Sequence, residues 1–168
     1  MRIIELEVYN ENWIANFEKE SVILKNLLSS NVVQVNHIGS TAIRGIKAKP
    51  VIDILLEVIS ISKIDDQVAK FEKIGYVGLG ENGMHGRRFF YKGKEKRSHH
   101  IHIYEVGNKE IAKHKLFVEY MNYHKNHMVE YEKLKTILFL KYQGNPEKYC
   151  AGKGEYISGI NELAKKWL

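Results

Sequence analysis

Apolar and polar positions along the chain follow two different periods, which predict helices and strands. Helical spacing runs through residues 11–28 and residues 63–74, and each segment places its apolar side chains on one face. Residues 32–38 have the character of a short strand. Residues 50–58 are rich in β-branched side chains and almost continuously apolar, which is typical of a strand with neighbours on both sides. Residues 76–80 indicate another short strand.

The second half of the chain begins with a predicted β-hairpin and continues with helices. Residues 87–92 and 99–104 are the hairpin strands, and they flank a turn around Gly93. Asn108 is a favourable helix N-cap. Three helical patterns follow, at residues 109–123, 127–142 and 154–167. The order of elements predicts a single α/β (α+β) domain over residues 1–168, a mixed sheet flanked by helices with a helical C-terminal part from about residue 108.

Composition narrows the classes of function. The net charge of +6 suits an anionic small molecule such as a nucleotide, whereas RNA binding would rest on charge alone and ranks last. No apolar run approaches the roughly 20 residues that span a bilayer, so no membrane partner is expected. A single cysteine excludes an intrachain disulfide, and the first residues lack a secretory pattern. We therefore expect a cytoplasmic protein.

The segment HIGSTAIRGIKAKPVIDILLE at residues 37–57 contains the chemistry that we consider first. Gly39 follows a predicted strand and allows a ligand to approach the backbone closely. Ser40 and Thr41 offer hydroxyl and backbone N–H groups that suit a phosphate. Asp53 lies on the next predicted strand, so a phosphate and a divalent cation fit between the turn and this carboxylate.

Each of these features also has a simpler interpretation. Gly39 and Ser40 form an ordinary tight turn if no phosphate binds. A carboxylate in the middle of an apolar strand is costly unless it is paired, so a structural salt bridge is the alternative role of Asp53. Its candidate partners are Lys49, Arg87 and Arg88.

Several basic side chains outside this segment are further candidates for anion binding. One of Arg87 and Arg88 should point to the same side as Asp53, where a guanidinium binds phosphate in bidentate fashion; a charge at a strand edge is the alternative. His100 and His102 share one face of a hairpin strand, and His102 is a candidate metal ligand, although two histidines alone do not make a zinc site. Lys153 follows Gly152 at a helix start, where it reaches an anion or remains a surface lysine.

Short motifs in a fixed order resemble the GrpB family along nearly the whole chain. The matching residues are Tyr9, Trp13 and Phe17, HIGSTA and AKPVIDI within 37–54, GRRFF and KG within 86–93, HHIH at 99–102, and Tyr149, Gly152, Lys153 and Tyr156. The family is similar to the nucleotidyltransferase superfamily, so the resemblance implies that type of mixed sheet in a bacterial protein. GrpB-type domains fused to dephospho-CoA kinase also point to nucleotide or coenzyme A metabolism.

The superfamily pattern implies a catalytic mechanism that this chain matches only in part. In it, the Gly-Ser turn holds a triphosphate, and carboxylates at alternate strand positions hold two Mg²⁺ or Mn²⁺ ions. Leu55 occupies the position of the second carboxylate. Glu57 or His102 would have to complete the metal site with Asp53.

Two hypotheses follow for the function. The first is a metal-dependent enzyme that transfers a nucleotidyl group to an unknown acceptor, with Asp53 and Glu57 as catalytic residues and Asp53, Glu57 and His102 as metal ligands. The second is a non-catalytic module that binds a nucleotide or a coenzyme A-like ligand. In both, the predicted nucleotide-binding residues are Gly39, Ser40, Thr41, Lys49, Arg87, Arg88, His100 and Lys153.

Overall fold

The fold is a five-stranded mixed sheet with helices on both faces. The computed structural model describes residues 5–143 and 145–167. The strands are β1 (Val32–Ile38), β2 (Ile52–Val58), β3 (Tyr76–Gly78), β4 (Arg87–Lys92) and β5 (His99–Glu105). The helices are α1 (Asn12–Leu28), α2 (Ser62–Asp65), α3 (Val68–Lys73), α4 (Lys109–Tyr123), α5 (Lys125–Lys141), α6 (Pro146–Gly152) and α7 (Gly154–Trp167). None of these described helices is long and apolar enough to cross a bilayer.

The strand order is β1-β2-β5-β4-β3, with β2 and β5 parallel and every other pair antiparallel. Ile38 at the end of β1 pairs with Asp53 on β2, and Asp53 pairs with His100 on β5. Paired residues on adjacent strands point to the same face of a sheet. The register therefore brings the end of β1, Asp53 and the histidines of β5 together on one face.

One face of the sheet packs under α1 and α3, and we call it the α1 face. Ile54 and Leu56 of β2 and Ile101 of β5 are fully buried there, against Leu24 of α1 and Phe71 of α3. Full burial of one such side chain stabilises the fold by roughly 1.5–3 kcal/mol. This face is the main apolar core.

The opposite face, which we call the α4 face, is covered by the C-terminal helices. Ile38, Leu55 and Tyr104 of the sheet pack there against Ile111 of α4. A second apolar cluster ties α4, α5 and α7 to each other and to the loop after β1; its buried members are Ile43, Ile46, Phe117, Tyr120, Met121, Tyr131, Ile160 and Ala164. The C-terminal helices therefore stand over the sheet and enclose a cleft at the Asp53 end.

The mixed α/β architecture with a helical C-terminal part is confirmed. Residues 63–74, predicted as one helix, form α2 and α3, because Gln67 leaves the helical conformation with φ −111° and ψ 8°. The strand predicted from residue 50 begins at Ile52. Pro50 has no N–H group to donate to a neighbouring strand, and the N–H of Val51 bonds back to the carbonyl of Lys49 instead.

Candidate functional site

Gly39 and Asp53 are in direct contact, as the spacing of the two strands predicted. Gly39 has φ +70° and ψ −171°, a backbone conformation that only glycine adopts readily. A Cβ atom at this position would lie 2.4 Å from Oδ2 of Asp53. The glycine therefore lets the turn close onto the carboxylate.

The other carboxylate oxygen of Asp53 accepts a hydrogen bond from His100. Nδ1 of His100 lies 3.0 Å from Oδ1 of Asp53. On the far side of the ring, a guanidinium nitrogen of Arg97 lies 3.4 Å from Nε2 of His100. A guanidinium only donates, so Nε2 accepts and Nδ1 carries the proton. The His100 ring is thereby fixed as a donor to Asp53.

His102 makes a similar but longer approach to the same oxygen. Its Nε2 atom lies 3.7 Å from Oδ1 of Asp53, and a guanidinium nitrogen of Arg87 lies 3.5 Å from its Nδ1 atom. Arg87 also donates to the carbonyl groups of Glu81 and Asn82. The buried Arg87 side chain therefore links the loop before β4 to the histidine pair.

These contacts hold Asp53 in its ionised form. Burial disfavours the charge, but the hydrogen bonds and charges of His100 and His102 outweigh it and hold the pKa of Asp53 well below its ordinary value. Burial also lowers the pKa of His100, although Asp53 opposes that shift. A neutral His100 therefore donates to an ionised carboxylate whose side chain is 26% exposed.

The turn after Gly39 presents unused hydrogen-bond donors. Ser40 to Ala42 form one short 3-10 turn. Within the described residues, the backbone N–H groups of Ser40 and Thr41 and the hydroxyl of Ser40 form no hydrogen bond. The Thr41 hydroxyl donates to the carbonyl of Val51 and accepts from Nε2 of His37. Burial lowers the pKa of His37 to about 4, so the ring is neutral.

Two adjoining cavities lie between this end of the sheet and the C-terminal helices. The larger, of about 300 Å³, extends towards α4, α5 and α7. The smaller, of about 200 Å³, extends towards α6 and Lys49. They share four lining residues, Ser40, Asp53, His102 and Lys153. The two cavities therefore form one cleft centred on Asp53.

Lys153 is the lysine that lines both cavities, whereas Lys49 and Lys113 each line one. Its ammonium group stands 4.7 Å from the centre of the Tyr149 ring, and the described residues give it neither a salt bridge nor a hydrogen bond. Burial lowers its pKa, but nearby groups that include Tyr131, Tyr149 and Asp53 outweigh this and raise the pKa above its ordinary value. Lys153 is therefore charged and available to an anion.

The structure places two of the predicted site residues away from the cleft, and a third, Arg87, contacts His102 but lines neither cavity. Arg88 points to the opposite side of β4 from Arg87 and binds Asp65 through two hydrogen bonds of 2.6 and 2.8 Å. Successive side chains of a strand alternate between faces, so only Arg87 can approach Asp53. Glu57 shares a face with Asp53, but the buried Leu55 separates them and Glu57 lines neither cavity.

The described side chains do not form a recognisable metal centre. No group of three or more His, Cys, Asp or Glu residues among them is arranged to hold a metal ion. Leu55, where the superfamily pattern has a second carboxylate, is fully buried against Ile38 and Tyr104. One carboxylate that already accepts from a histidine does not fit a two-metal site.

Sequence reasoning missed several residues that line the cleft. His114 of α4, Tyr131 of α5 and Asn161 of α7 line the larger cavity, and Cys150 of α6 lines the smaller one. A signal existed for one of them, since Lys153, Ile157 and Asn161 recur at helical spacing. That pattern shows a shared helix face but does not show what the face covers.

Comparison with known proteins identifies relatives in bacteria. The family model described as GrpB protein matches residues 3–163. UPF0157 protein YqkA of Bacillus subtilis (strain 168) is 41% identical over 166 residues; the match covers 99% of this chain and 48% of that protein, so the chain spans about half the length of this relative. Glutamate-rich protein GrpB of Alkalihalophilus pseudofirmus is 31% identical over 164 residues, 94% of each protein.

A solved structure agrees in both fold and length. The crystal structure of conserved protein GrpB from Enterococcus faecalis superposes with a TM-score of 0.93, with 38% identity, over 98% of this chain and 100% of that one. Together with the match of the family model to residues 3–163, this shows that the chain belongs to the GrpB family.

Proposed function

We propose that the cleft binds a phosphate-bearing small molecule, such as a nucleotide or a coenzyme A-like ligand, without the help of a two-metal centre. The observation that carries the proposal is the position of Lys153. This charged lysine lines both cavities together with Ser40, whose hydroxyl and N–H groups have no partner in the described residues. Cationic and neutral donors around one space suit a phosphate group.

Other residues of the smaller cavity support an anionic ligand. Lys49 and Tyr149 both line it. Burial, more than any neighbouring charge, raises the pKa of Tyr149 to about 12, so its hydroxyl keeps a proton to donate. Arg87 contacts His102 and Arg97 contacts His100, each on the side of the ring away from Asp53, and both add positive charge near the cleft. Apart from Glu110, which lines the larger cavity, the charged groups around the Asp53 carboxylate are therefore cationic.

Asp53 would act as an acceptor beside the bound phosphate. Its Oδ1 atom already accepts from His100, and Oδ2 lies against Gly39. A hydroxyl of the ligand outside its phosphate groups, which tripolyphosphate lacks, would donate to the part of the carboxylate that faces the cleft. The ionised Asp53 also repels a fully charged phosphate, which places the anion on the Ser40 and Lys153 side.

Metal-dependent nucleotidyl transfer is the second candidate function. A low pKa and partial exposure make Asp53 a suitable ligand for one divalent cation. Because Leu55 and Glu57 supply no second carboxylate to the cleft, we derive no catalytic step through metal ions. A requirement for Mg²⁺ or Mn²⁺ stays a prediction from the sequence.

Calorimetric titration with tripolyphosphate in EDTA tests the proposal. We expect wild-type protein to bind and Lys153→Gln to bind at least about tenfold more weakly, because a charge-assisted contact is lost. Lys148→Gln is the matched control: it removes the same charge from an exposed position on α6 that lines neither cavity.

Three results would count against the proposal. Wild-type protein that does not bind tripolyphosphate excludes a phosphate site in the cleft. Equal losses in Lys153→Gln and Lys148→Gln would show that general charge, not the cleft, attracts the anion. Binding that appears only with Mg²⁺ or Mn²⁺ would favour the metal-dependent candidate instead.

A further inference from the structure

The larger cavity is lined by two deeply buried polar side chains whose polar atoms form no hydrogen bond with the described residues. Asn161 of α7 is 7% exposed and Tyr131 of α5 is 2% exposed. Within residues 5–143 and 145–167, neither the Asn161 amide nor the Tyr131 hydroxyl forms a hydrogen bond. None of these polar atoms is fully enclosed, so each keeps some accessible surface, and both residues line the larger cavity. Buried polar groups are nearly always paired with protein or with water, so a ligand that fills this cavity has to supply hydrogen bonds to both groups.

The rest of this cavity is suited to a flat, largely apolar group. Ile38, Met84, Phe117 and Ile157 line it beside Tyr131, and Glu110, Lys113 and His114 form the polar part of its wall. The rings of Phe117 and Tyr131 meet edge to face, with centroids 5.9 Å apart and an angle of 84°. Planar rings pack well against such walls, and an aliphatic chain would leave the polar groups unpaired.

The polar groups in turn suit a heterocycle more than a simple aromatic ring. The Asn161 amide offers a donor and an acceptor side by side. Such an amide forms paired hydrogen bonds with the edge of a base that has the complementary donor and acceptor. The Tyr131 hydroxyl adds one more group that donates or accepts.

The position of Asn161 relative to Lys153 allows one ligand to reach both. Lys153, Ile157 and Asn161 are spaced by four residues, so they form a row along one side of α7 and its start. At 1.5 Å per helical residue, the row is about 12 Å long. A phosphate at Lys153 therefore lies at one end of the row and the ring at the other.

We propose that the larger cavity is a subsite for a planar heterocycle of the nucleobase type, and that the Asn161 amide selects among such rings. The inference rests on the proposed function, because it assigns the other end of the same phosphate-bearing ligand. Phosphate binding at Lys153 does not by itself require the subsite, so the two proposals can fail separately.

The test compares four nucleoside triphosphates, ATP, GTP, CTP and UTP, with tripolyphosphate by calorimetry in EDTA. We expect at least one nucleotide to bind wild-type protein about tenfold or more tightly than tripolyphosphate. Asn161→Leu should remove this advantage and leave the affinity for tripolyphosphate unchanged. Asn161→Asp has nearly the same shape, but an oxygen that only accepts hydrogen bonds replaces the NH₂ group that donates them. This variant should therefore change which nucleotide binds most tightly.

Two tyrosine variants separate the cavity from the rest of the surface. Tyr131→Phe removes only the hydroxyl. It should weaken binding of the preferred nucleotide several-fold, which is about the effect of losing one hydrogen bond. Tyr123→Phe makes the same change at a side chain that is 76% exposed and should have no effect.

Two outcomes would overturn the subsite while the phosphate site stands. In one, no nucleotide binds more tightly than tripolyphosphate. In the other, Asn161→Leu weakens the binding of tripolyphosphate and of nucleotides by the same factor. If tripolyphosphate does not bind at all, the proposed function fails, and millimolar adenosine, guanosine, cytidine and uridine test the subsite alone: binding lost in Asn161→Leu supports it, and no binding overturns it.

Discussion

At the scale of single residues, the site depends on Gly39, which contacts the Asp53 carboxylate, and on two histidines. Each of these histidines lies between Asp53 and an arginine. The sequence predicted that Gly39 and Asp53 would meet, because both lie where neighbouring strands can be recognised from their apolar pattern. It did not predict that His100 would be the hydrogen-bonding partner of Asp53. That contact depends on the parallel register of β2 and β5, in which Asp53 pairs with His100, and no local pattern encodes such a register.

The first prediction concerns Gly39→Ala. The new Cβ would lie 2.4 Å from Oδ2 of Asp53, so the turn or the carboxylate must move. We expect a loss of stability of about 2 kcal/mol or more, since the backbone strain alone is about 1–2 kcal/mol, together with loss of tripolyphosphate binding. Thermal unfolding and calorimetry measure the two effects.

Gly45→Ala is the control for this prediction. Gly45 also has a positive φ, +84°, but a Cβ there would meet no atom within 4 Å. Gly45→Ala should therefore lose the stability that backbone strain costs but bind tripolyphosphate as the wild-type protein does. If both variants bind tripolyphosphate as the wild-type protein does, close contact between the turn and Asp53 is not needed for the site.

The second prediction concerns Asp53→Asn. Removing a negative charge beside the proposed anion site should strengthen metal-free tripolyphosphate binding by about tenfold, a change of roughly 1.4 kcal/mol. Glu57→Gln removes the same charge from a residue that lines neither cavity, so it should have little effect on tripolyphosphate binding. Weaker binding by Asp53→Asn in EDTA would mean that the carboxylate contacts the ligand favourably and that the repulsion argued above is wrong.

At the scale of elements, α5 is connected to the loop that runs from Gly39 to β2. The fully buried Lys135 donates to the carbonyl of Lys47, and Glu132 accepts from the N–H of the same residue. The sequence predicted α5 from its periodicity, with bounds close to those observed. It did not predict a buried lysine, because the residue type and the helical pattern both indicate a solvated position.

The third prediction follows from Lys135. Burial, and secondarily the charge of Lys153, lower its pKa to about 7. Between pH 7 and the ordinary lysine pKa of about 10.5, the unfolded chain binds the proton and the folded chain does not. The free energy of unfolding should therefore rise with pH across this window, by up to about 1.4 kcal/mol per unit from this group.

Denaturant unfolding at several pH values measures this slope. Lys135→Met should flatten it, whereas Lys133→Met, at an exposed position of the same helix, should not. Equal slopes in the wild-type protein and Lys135→Met would show that the lysine keeps its proton in the folded state.

At the scale of the whole molecule, the two faces of the sheet differ in what they contain. The α1 face holds the continuous apolar core, and the α4 face holds the cleft between the sheet and the C-terminal helices. Periodicity predicted the strands and the three longer C-terminal helices α4, α5 and α7. It did not predict that Lys153, Tyr131 and Asn161 meet over Asp53, because that depends on how three amphipathic helices pack, and many arrangements bury the same apolar positions.

The fourth prediction concerns acid stability of the whole fold. Burial, in each case the largest cause, lowers the pKa of His37 and of His114 to about 4. Below the ordinary histidine pKa of about 6.5, the unfolded chain takes up protons that the folded chain does not. The contribution of these two histidines to the free energy of unfolding should therefore be fully present above pH 6.5 and should fall as the pH drops towards 4.

The expected loss is up to about 1.4 kcal/mol per pH unit for each buried histidine. His37→Gln, which keeps a donor for Thr41, should reduce the slope. His85→Gln should leave it unchanged, because the His85 side chain is fully exposed. A wild-type protein whose stability is constant between pH 6.5 and 4.5 would contradict the prediction.

The central claim is that an anion binds between the Ser40 turn and Lys153, and an NMR titration tests it most directly. Tripolyphosphate in EDTA is added to ¹⁵N-labelled protein, and backbone amide shifts are followed. We predict the largest shifts at Ser40, Thr41 and Lys153, with little change in α2 and α3 on the other side of the sheet. No shift at the Ser40 turn, or shifts confined to the basic hairpin loop 93–98, would contradict the claim.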